Sequence, residues 1–400
     1  MLQGKTIILG VSGGIAVYKA VELLRLLTKA EADVHVIMTK NAREFVTPLT
    51  FQTLSGHPVH TDLFNLSQEY EIDHISLADR ADLFILVPAT ANLVGKIAQG
   101  LADDLLTTTI MATKAPVLVV PAMNSNMYEN RIYQRNQSYL AELGYEILEP
   151  VSGSLACGWE GPGKLPDPSV IFNTAESILS PKDLRGCHIL VTAGPTREEI
   201  DPVRYLSNYS SGKMGFAVAT AALQRGAQVT LIAGPTYLTV PGGVDLIPVS
   251  SAAEMHSAVL SHLDSNDVII KAAAVADYRP IDRSSQKLKK SSDNLMLELE
   301  KTVDILAELG QRKGERILVG FAAETERLMT HAAEKLKKKN LDLIVANDIT
   351  REGAGFDGDT NIVRILHADG KVEELEKMSK RAVADKLLDR VKPLWQAKRQ

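Results

Sequence analysis

The chain contains two stretches that each resemble the beginning of an α/β domain. LQGKTIILGVSGG, from residue 2, and LRGCHILVTAGPT, from residue 184, both run from a polar lead through a short apolar strand into a glycine-containing turn. A strand, such a turn and a following helix form the unit from which doubly wound parallel sheets are built. Between them, SILSPKDLRG has the Ser, Pro, Asp and Gly residues typical of a domain edge. The sequence therefore predicts two domains, 1–182 and 183–400.

Apolar runs inside each half predict the same architecture. VHVIM, LFILV and VLVV alternate with helical segments in the first half, and the first helix has Val17, Val21, Leu24 and Leu27 at three- and four-residue intervals. The second half repeats the alternation with QVTLIAG, VIIKAAA, ILVGFAA and LDLIVAN. The predicted fold class is α/β, with two Rossmann-like domains that each have a mainly parallel sheet covered by helices.

Composition narrows the function classes. Two cysteines cannot form a disulfide framework, and 400 residues can bury a core without one, which predicts a reducing compartment. No leader and no apolar run of about 18 residues is found, so we predict a cytoplasmic protein without a membrane segment. The 44 basic and 49 acidic residues argue against nucleic acid as a partner and favour small-molecule chemistry.

Two strand-to-helix turns in the first half are candidate phosphate sites. GVSGGIA (10–16) has Ser12 in place of the second glycine of GxGxxG, and the next strand ends in Thr39 and Lys40 rather than in a ribose-binding acid. These features disfavour a dinucleotide and favour a mononucleotide phosphate, with Ser12 as a hydroxyl donor; a glycine turn needed only for packing is the alternative. VPATANLVGKIA places Thr90 and Asn92 at a second turn of this kind.

A glycine-rich turn in the second half resembles a P-loop but does not match one. In LSNYSSGKMGFA, Ser207 stands where GxxxxGK[ST] needs Gly, and Met214 stands where it needs Ser or Thr. The turn can still bind a nucleotide or a phosphorylated substrate, and a packing turn remains the alternative.

Three residues of the first half are candidates for chemistry. His74 precedes an amphipathic segment and is either a base or a capping, structural histidine. Asn124 follows the strand VLVV, where ligands bind in open sheets, although Asn is also a common turn residue. Cys157 lies in the Gly/Pro-rich loop LACGWEGPGKLPDP without a CxxC partner, so we interpret it as a proton donor on a mobile loop. Cys187 opens an apolar strand and is interpreted as structural.

Several further motifs, in one order along nearly the whole chain, carry a family resemblance. The first half contains GVSGGIAVYK, FVTPLTFQTLSG, HISLADRADL, VPATANLVGKIAQGLADDLL, PAMNSNM and ACGWEGPGK. The second half contains DPVRYLSNYSSGKMG, AAVADYRP, KLKK, FAAET and NLDLIVAND. The chain thereby resembles the bifunctional phosphopantothenoylcysteine decarboxylase/phosphopantothenate–cysteine ligase family of coenzyme A biosynthesis.

For the first half, the resemblance implies a flavin-dependent decarboxylase. His74 would be the active-site base, Asn124 would hold the substrate carboxylate, and Cys157 would be the acid that completes the reaction. The flavin would act as an electron sink for loss of carbon dioxide from the cysteinyl group. The implied FMN-binding residues are Gly10, Ser12, Gly13, Thr39, Thr90 and Asn92.

For the second half, the resemblance implies CTP-dependent ligation. The carboxylate of 4'-phosphopantothenate would attack the α-phosphate of CTP, and cysteine would displace CMP from the acyl cytidylate. Asn208 would handle the acyl intermediate with Arg204 near it, and Asp277 would hold Mg2+ that bridges the triphosphate. The implied nucleotide residues are Asp277, Lys287, Val303, Asp304, Ile305, Leu306, Phe321, Lys335 and Lys339, and Lys287 is also the implied catalytic lysine.

The resemblance further implies a homo-oligomer, a dodecamer of decarboxylase trimers and ligase dimers. Three departures from the family pattern are Tyr128 for Trp, Lys164 for Arg, and Thr302-Val303 for Asn-Pro. Two other functions fit the sequence less well. A regulatory flavin- or nucleotide-binding protein is disfavoured by the intact candidate residues, and a nicotinamide-dependent reductase by the missing GxGxxG and ribose acid.

Overall fold

The computed structural model describes residues 2–64, 73–156, 158–289, 295–324, 328–348 and 358–399. Cys157 therefore lies outside the described residues. The chain divides into two compact units, Met1–Ser180 and Pro181–Gln400. Within the described ranges, none of the helices combines the length and the apolar composition that a membrane crossing requires.

The first unit is built on a parallel sheet. Its strands are β1 Thr6–Val11, β2 Asp33–Met38, β3 Val59–His60, β4 Leu83–Ala89, β5 Val117–Pro121 and β6 Glu146–Ile147. They lie in the order β3-β2-β1-β4-β5-β6, and every pairing is parallel. The order reverses between β1 and β4, which is the position where open α/β sheets bind ligands at their carboxyl ends.

Helices cover both faces of this sheet. They are α1 Val17–Lys29, α2 Pro48–Ser55, α3 Asp73–Arg80, α4 Ala91–Ala98, α5 Leu105–Ala112, α6 Ser125–Tyr128, α7 Arg131–Glu142 and α8 Pro168–Leu179, with a 3-10 helix at Lys40–Glu44. Alternate residues of β1 face opposite sides: Ile7 and Leu9 belong to the core cluster that includes α1 and α8, and Ile8 to the cluster that includes α4, α5 and α7. Burial on both faces explains why these strands are continuous apolar runs.

The second unit repeats this strand order and extends it. Its strands are β9 His188–Ala193, β10 Arg197–Glu199, β11 Tyr205–Ser207, β12 Gln228–Ala233, β13 Asp245–Pro248, β14 Val268–Lys271, β15 Tyr278–Pro280, β16 Leu299–Lys301, β17 Ile317–Glu324, β18 Leu343–Asp348, β19 Thr360–His367 and β20 Val372–Ser379. The large sheet is ordered β13-β12-β9-β14-β17-β18-β19-β20, parallel as far as β18 and antiparallel beyond it. The helices are α9 Lys213–Gln224, α10 Ala252–Ser261, α11 Ile305–Gln311, α12 Leu328–Lys338 and α13 Lys380–Ala397.

Short antiparallel hairpins complete the two units. In the first unit, β7 Val151–Ser154 pairs with β8 Glu160–Lys164. In the second, β10 pairs with β11 and β15 pairs with β16. Each hairpin carries a segment that the sequence marks as functional, namely the residues around 157, 204 and 287.

The predicted fold class is confirmed, since both large sheets are mainly parallel and covered by helices. The sequence analysis missed the antiparallel strands β19 and β20. In β19 buried residues largely alternate with half-buried ones, and β20 buries Leu375 among mostly exposed residues. Neither strand is therefore a continuous apolar run.

The buried position of Cys187 predicts that its thiol is unreactive in the native protein. The residue is fully buried in the core of the second unit, and burial raises the pKa of its thiol to about 12. Only about one such thiol in ten thousand is ionised at pH 8, and thiolates are the reactive form. We expect iodoacetamide at pH 8 to leave Cys187 unmodified in the native protein and to modify it in denaturant, as measured by peptide mass spectrometry. Rapid modification of Cys187 in the native protein would contradict the buried position.

Candidate functional site

A cavity of about 780 Å3 opens in the first unit at the carboxyl ends of the central strands. Six of the predicted site residues line it: Ser12, Gly13, Thr39, Thr90, Asn92 and Asn124. They come from the segments that follow β1, β2, β4 and β5. The cavity thus lies at the reversal of strand order between β1 and β4, the expected position for a ligand.

Ser12 connects the two turns that form the floor of this cavity. Its Oγ donates a hydrogen bond to the Pro88 carbonyl at 2.6 Å and accepts one from the Thr90 N–H at 3.0 Å. Thr90 in turn caps α4, where its Oγ1 lies 3.4 Å from the Leu93 nitrogen. The Ser12 proton is therefore used inside the protein, so the contribution of Ser12 to the cavity is to fix the position of the second turn.

Gly13 and Gly10 are required by close packing. A Cβ on Gly13 would lie 2.5 Å from the Cβ of Asn41 and 2.8 Å from its carbonyl oxygen. A Cβ on Gly10 would lie 2.6 Å from Leu106 Cδ1, and Gly10 is not part of the cavity lining. Close packing therefore requires both glycines, and Gly13 also lines the cavity.

Thr39 supplies a polar atom with an unfilled hydrogen-bonding capacity. Its Oγ1 is buried and has no hydrogen-bond partner among the described residues, and Thr39 lines the cavity. A buried polar group without a partner costs about 1–3 kcal/mol. A polar group on a bound ligand would remove this cost, so the cavity is suited to a ligand that is not purely apolar.

The lining carries more positive than negative charge. Lys19, Lys40, Lys96 and Lys164 contribute to it, together with Asp104. Lys19 donates to the Leu165 carbonyl at 2.9 Å, and Lys96 is 2.7 Å from Asp103, whose hydrogen bond raises the pKa of this lysine. An anionic ligand such as a phosphate would be stabilised in this environment.

Asn124 is held by the structure around it. It is the N-cap of α6, where its Oδ1 accepts from the Asn126 N–H at 2.9 Å. The β7–β8 hairpin packs against the residue before it, because the Met123 N–H donates to the Gly163 carbonyl at 3.0 Å. Cys157, in the segment that joins β7 to β8, is not among the described residues. The hairpin nevertheless brings Gly163 and Lys164 into the lining beside Asn124.

His74 lies on another element, the helix α3. It lies in the first turn of α3 and does not line the cavity. Its Nδ1 is buried and has no hydrogen-bond partner in the described part of the chain. Tyr128, one of the departures from the family pattern, donates to Glu149 and also lies outside the lining.

In the second unit, two predicted nucleotide residues form an ion pair. Lys339 Nζ is 2.8 Å from the Asp304 carboxylate, and Asp304 caps α11 by accepting from the Ala307 N–H at 3.1 Å. Val303 beside them is 53% exposed, whereas Ile305 and Leu306 belong to the hydrophobic core. The backbone of 305 and 306 is therefore the part that a ligand could contact.

The remaining predicted residues of the second unit lie on several different elements. Phe321 lies in β17 against the core, and Lys335 lies one helical turn before Lys339. Asp277 and Lys287 are exposed. Asn208 donates from its amide to the carbonyls of Ala274 and Val275 at 3.1 and 3.2 Å, which ties the segment after β11 to the segment after β14.

The sequence analysis missed Lys271, the last residue of β14. Burial lowers the pKa of its ammonium to about 8, and the charge of Lys339 acts in the same direction against those of Asp304 and Asp277. Lys271 therefore lies within the electrostatic reach of predicted nucleotide residues, at the carboxyl edge of the second sheet. A charged residue inside the otherwise apolar stretch VIIKAAA was the available signal.

Comparison with known proteins identifies the family. Residues 1–180 match the flavoprotein family, and residues 184–394 match the C-terminal domain of the DNA/pantothenate metabolism flavoproteins. The coenzyme A biosynthesis bifunctional protein CoaBC of Bacillus subtilis strain 168 is 52% identical over 398 residues, which cover 98% of each chain. The chain belongs to this family of bifunctional coenzyme A biosynthesis proteins. The family predicted from the motifs is thereby confirmed.

A second member of the family and one solved structure are also similar in sequence to this chain. CoaBC of Escherichia coli K12 is 47% identical over 396 residues, 98% of this chain and 97% of that protein. A crystal structure of the C-terminal domain of a CoaBC protein is 44% identical, covers 54% of this chain and 99% of that one, and has a TM-score of 0.47. For the first unit, membership in the flavoprotein family supports a flavin cofactor.

Gly163 provides a test of the contact between the hairpin and the cavity. Its φ of +121° disfavours an L side chain, and a Cβ would lie 2.2 Å from the Met123 carbonyl oxygen. We expect Gly163→Ala to destabilise the first unit by about 1–3 kcal/mol and to lower the flavin bound per chain. Thermal unfolding and the visible flavin absorbance measure the two effects.

Gly144→Ala is the matched control. Gly144 also has a left-handed φ, +91°, but its Cβ would have nothing within 4 Å. It should therefore show the cost of backbone strain, about 1 kcal/mol, without loss of flavin. Flavin content in Gly163→Ala equal to that of Gly144→Ala would contradict the role of the hairpin.

Proposed function

We propose that this chain makes 4'-phosphopantetheine in two steps. The second unit joins cysteine to 4'-phosphopantothenate with CTP, through an acyl cytidylate, and the first unit decarboxylates the resulting 4'-phosphopantothenoylcysteine with FMN. The observation that carries the proposal is the lysine-lined cavity at the β1–β4 reversal, into which five of the six predicted FMN residues and Asn124 are brought together. The corresponding edge of the second sheet brings Lys339 to Asp304.

The cavity fits a flavin mononucleotide better than a dinucleotide. β2 ends without an acid that could hold the second ribose. The Thr39 hydroxyl, which has no partner in the described part of the chain, offers a hydrogen bond there instead. The turns after β1 and β4, together with Lys19 and Lys40, suit one phosphate. These features also argue against a nicotinamide-dependent reductase.

The decarboxylase residues have separate tasks in this proposal. When bound, the flavin supplies a reversible two-electron acceptor, so that carbon dioxide is not lost from an unstabilised carbanion. Asn124, fixed at the N-terminus of α6, orients the substrate carboxylate. Cys157 returns a proton at the end of the reaction, from a segment carried by the β7–β8 hairpin.

His74 requires a second copy of the chain in this proposal. The residue does not line the cavity of its own chain, so the base reaches a cavity of another protomer. The first unit also exposes large apolar side chains on α5 and after α4 and α7, since Leu101, Met111 and Leu143 are 54–58% exposed. Such residues suit an interface, in line with decarboxylase trimers joined by ligase dimers into a dodecamer.

In the proposed ligase site, lysine side chains balance the negative charge of CTP. Lys287, Lys335 and Lys339 would contact the nucleotide, with Phe321 and the backbone of 303–306 beside it. Asp277 has an exposed carboxylate that would hold Mg2+, an ion that usually takes one or two carboxylates together with substrate phosphates. Arg204 and Asn208 would bind the acyl part of the substrate.

The proposal is tested by product formation. The purified chain is supplied with 4'-phosphopantothenate, cysteine, Mg2+ and CTP, while its visible spectrum, pyrophosphate and carbon dioxide are measured. We expect flavin absorbance and CTP-dependent release of both products. Flavin without either product would instead support a binding protein, and pyrophosphate without carbon dioxide would overturn the decarboxylase assignment alone.

Cys157→Ser tests the proton donor. Because the thiol acts after carbon dioxide has left, the variant should still release carbon dioxide but accumulate an oxidised enethiol product, which mass spectrometry detects. Cys187→Ala is the control, since it removes the other thiol and should give 4'-phosphopantetheine. Normal 4'-phosphopantetheine production by Cys157→Ser would remove this residue from the mechanism.

Lys287→Gln tests the ligase site. Loss of the ammonium removes a stabilising charge from the developing phosphate oxygens, so ligation should fall by about 100-fold or more, while decarboxylation of supplied 4'-phosphopantothenoylcysteine is unchanged. Lys377→Gln, at an exposed position of β20, serves as the control and should retain both activities. Equal loss of both activities in Lys287→Gln would point to misfolding.

A further inference from the structure

Asp201 is a buried carboxylate at the start of the turn between β10 and β11. It is 1% exposed. Its oxygens accept from the backbone N–H groups of Val203 and Arg204, both at 2.8 Å, and from the Arg204 side chain at 2.9 and 2.6 Å. A fifth donor is the Leu288 N–H at 3.1 Å, which comes from a segment 87 residues away. The carboxylate therefore joins the turn to the segment that carries Lys287.

Leu288 is held at both of its backbone polar groups. While its N–H donates to Asp201, its carbonyl accepts from Arg204 Nη2 at 2.8 Å. The Leu288 nitrogen belongs to the peptide bond that follows Lys287. Asp201 and Arg204 thus act directly on the backbone next to the lysine, and we call this arrangement the 201–204–288 clamp.

The clamp matters because the segment around Lys287 has no regular secondary structure. Residues 281–289 belong to neither a helix nor a strand. They are docked on the same turn by two further contacts, the Ser284 N–H to the Ile200 carbonyl at 3.0 Å and an ion pair between Arg283 and Glu199. The exposed Lys287 side chain is long and flexible, so the backbone decides which region its ammonium can reach.

A carboxylate suits this position better than its amide isostere. All five groups around Asp201 are donors, and an ionised carboxylate is an acceptor only. An asparagine would present an NH2 group to one of these donors. The Arg204 guanidinium also holds the pKa of Asp201 well below its usual range, so the carboxylate stays ionised at any pH used for an enzyme assay.

We propose that Asp201 is a positioning residue of the ligase reaction, which through Arg204 and Leu288 places the Lys287 ammonium against the phosphate oxygens of the nucleotide. The same contacts orient Arg204, whose Nη1 has no hydrogen-bond partner within the described ranges and is free to meet a substrate anion. This inference rests on the proposed role of Lys287.

Asp201→Asn tests the inference through a double-mutant cycle with Lys287→Gln. We expect the single variant to lower kcat of ligation about 10- to 100-fold, with a smaller change in KM for CTP and unchanged decarboxylation. If Asp201 acts through Lys287, adding Asp201→Asn to Lys287→Gln should lower kcat less than about threefold further. Full additivity of the two effects would overturn the proposal.

Hydrogen exchange of the peptide that spans 281–289 gives a second readout, which does not need residual activity in Lys287→Gln. Exchange at the Ser284 and Leu288 amides should be faster in Asp201→Asn than in the wild type. Asp282→Asn is the matched control, because it removes an exposed carboxylate from the same segment and should change neither exchange nor ligation. Unchanged exchange in Asp201→Asn would also overturn the proposal.

The ligation assay distinguishes a failure of this inference from a failure of the proposed function. Wild-type protein without CTP-dependent pyrophosphate release would refute the ligase assignment and, with it, the role of Asp201. Wild-type ligation with an Asp201→Asn variant of normal kcat would refute the positioning role alone.

Discussion

The adjacency of β1 and β4 in the first sheet, and of β9 and β14 in the second, is the constraint from which the rest of each unit follows. In the first sheet the pairing runs from Ile7 with Leu83 to Gly10 with Leu86. In the second it runs from Ile189 with Val268 to Thr192 with Lys271. Connections on either side of such a pair cover opposite faces of the sheet, so an open crevice forms at the carboxyl edge. Because helices cover both faces of each sheet, the central strands are apolar on both sides. The polar groups that could bind a ligand therefore lie in the turns that follow these strands.

In both units, polar side chains connect turns that are distant from one another along the chain. Ser12 joins the turn after β1 to the turn after β4, and Asn208 joins the segment after β11 to the segment after β14. Because Ser12 is buried and unpaired polar groups are costly in a protein interior, its hydrogen bonds fix the position of its turn strongly. The Thr39 hydroxyl, by contrast, has no hydrogen-bond partner among the described residues, and it lines the cavity, where a ligand could supply one.

The sequence predicted the features that depend on residues close together along the chain. Continuous apolar runs identified the central strands, and the glycine turns located the cavity. The antiparallel strands β19 and β20 were missed because one face of each is polar. The two roles of Gly13 could not be separated, since its contact with Asn41 exists only in the folded chain. Likewise, Asp201 and Lys287 both stand in motifs of the sequence. The link between them depends on a hydrogen bond between residues 87 positions apart, which the sequence does not reveal.

The contiguous division of the chain at Ser180 and Pro181 has a consequence for the cell. Each unit is made from one uninterrupted stretch of sequence, and both are translated as one polypeptide. A cell that makes this protein therefore produces the flavoprotein half and the ligase half in equal numbers, and no change in expression can alter their ratio. Separate genes would have to achieve the same stoichiometry by balancing two rates of synthesis and two rates of degradation.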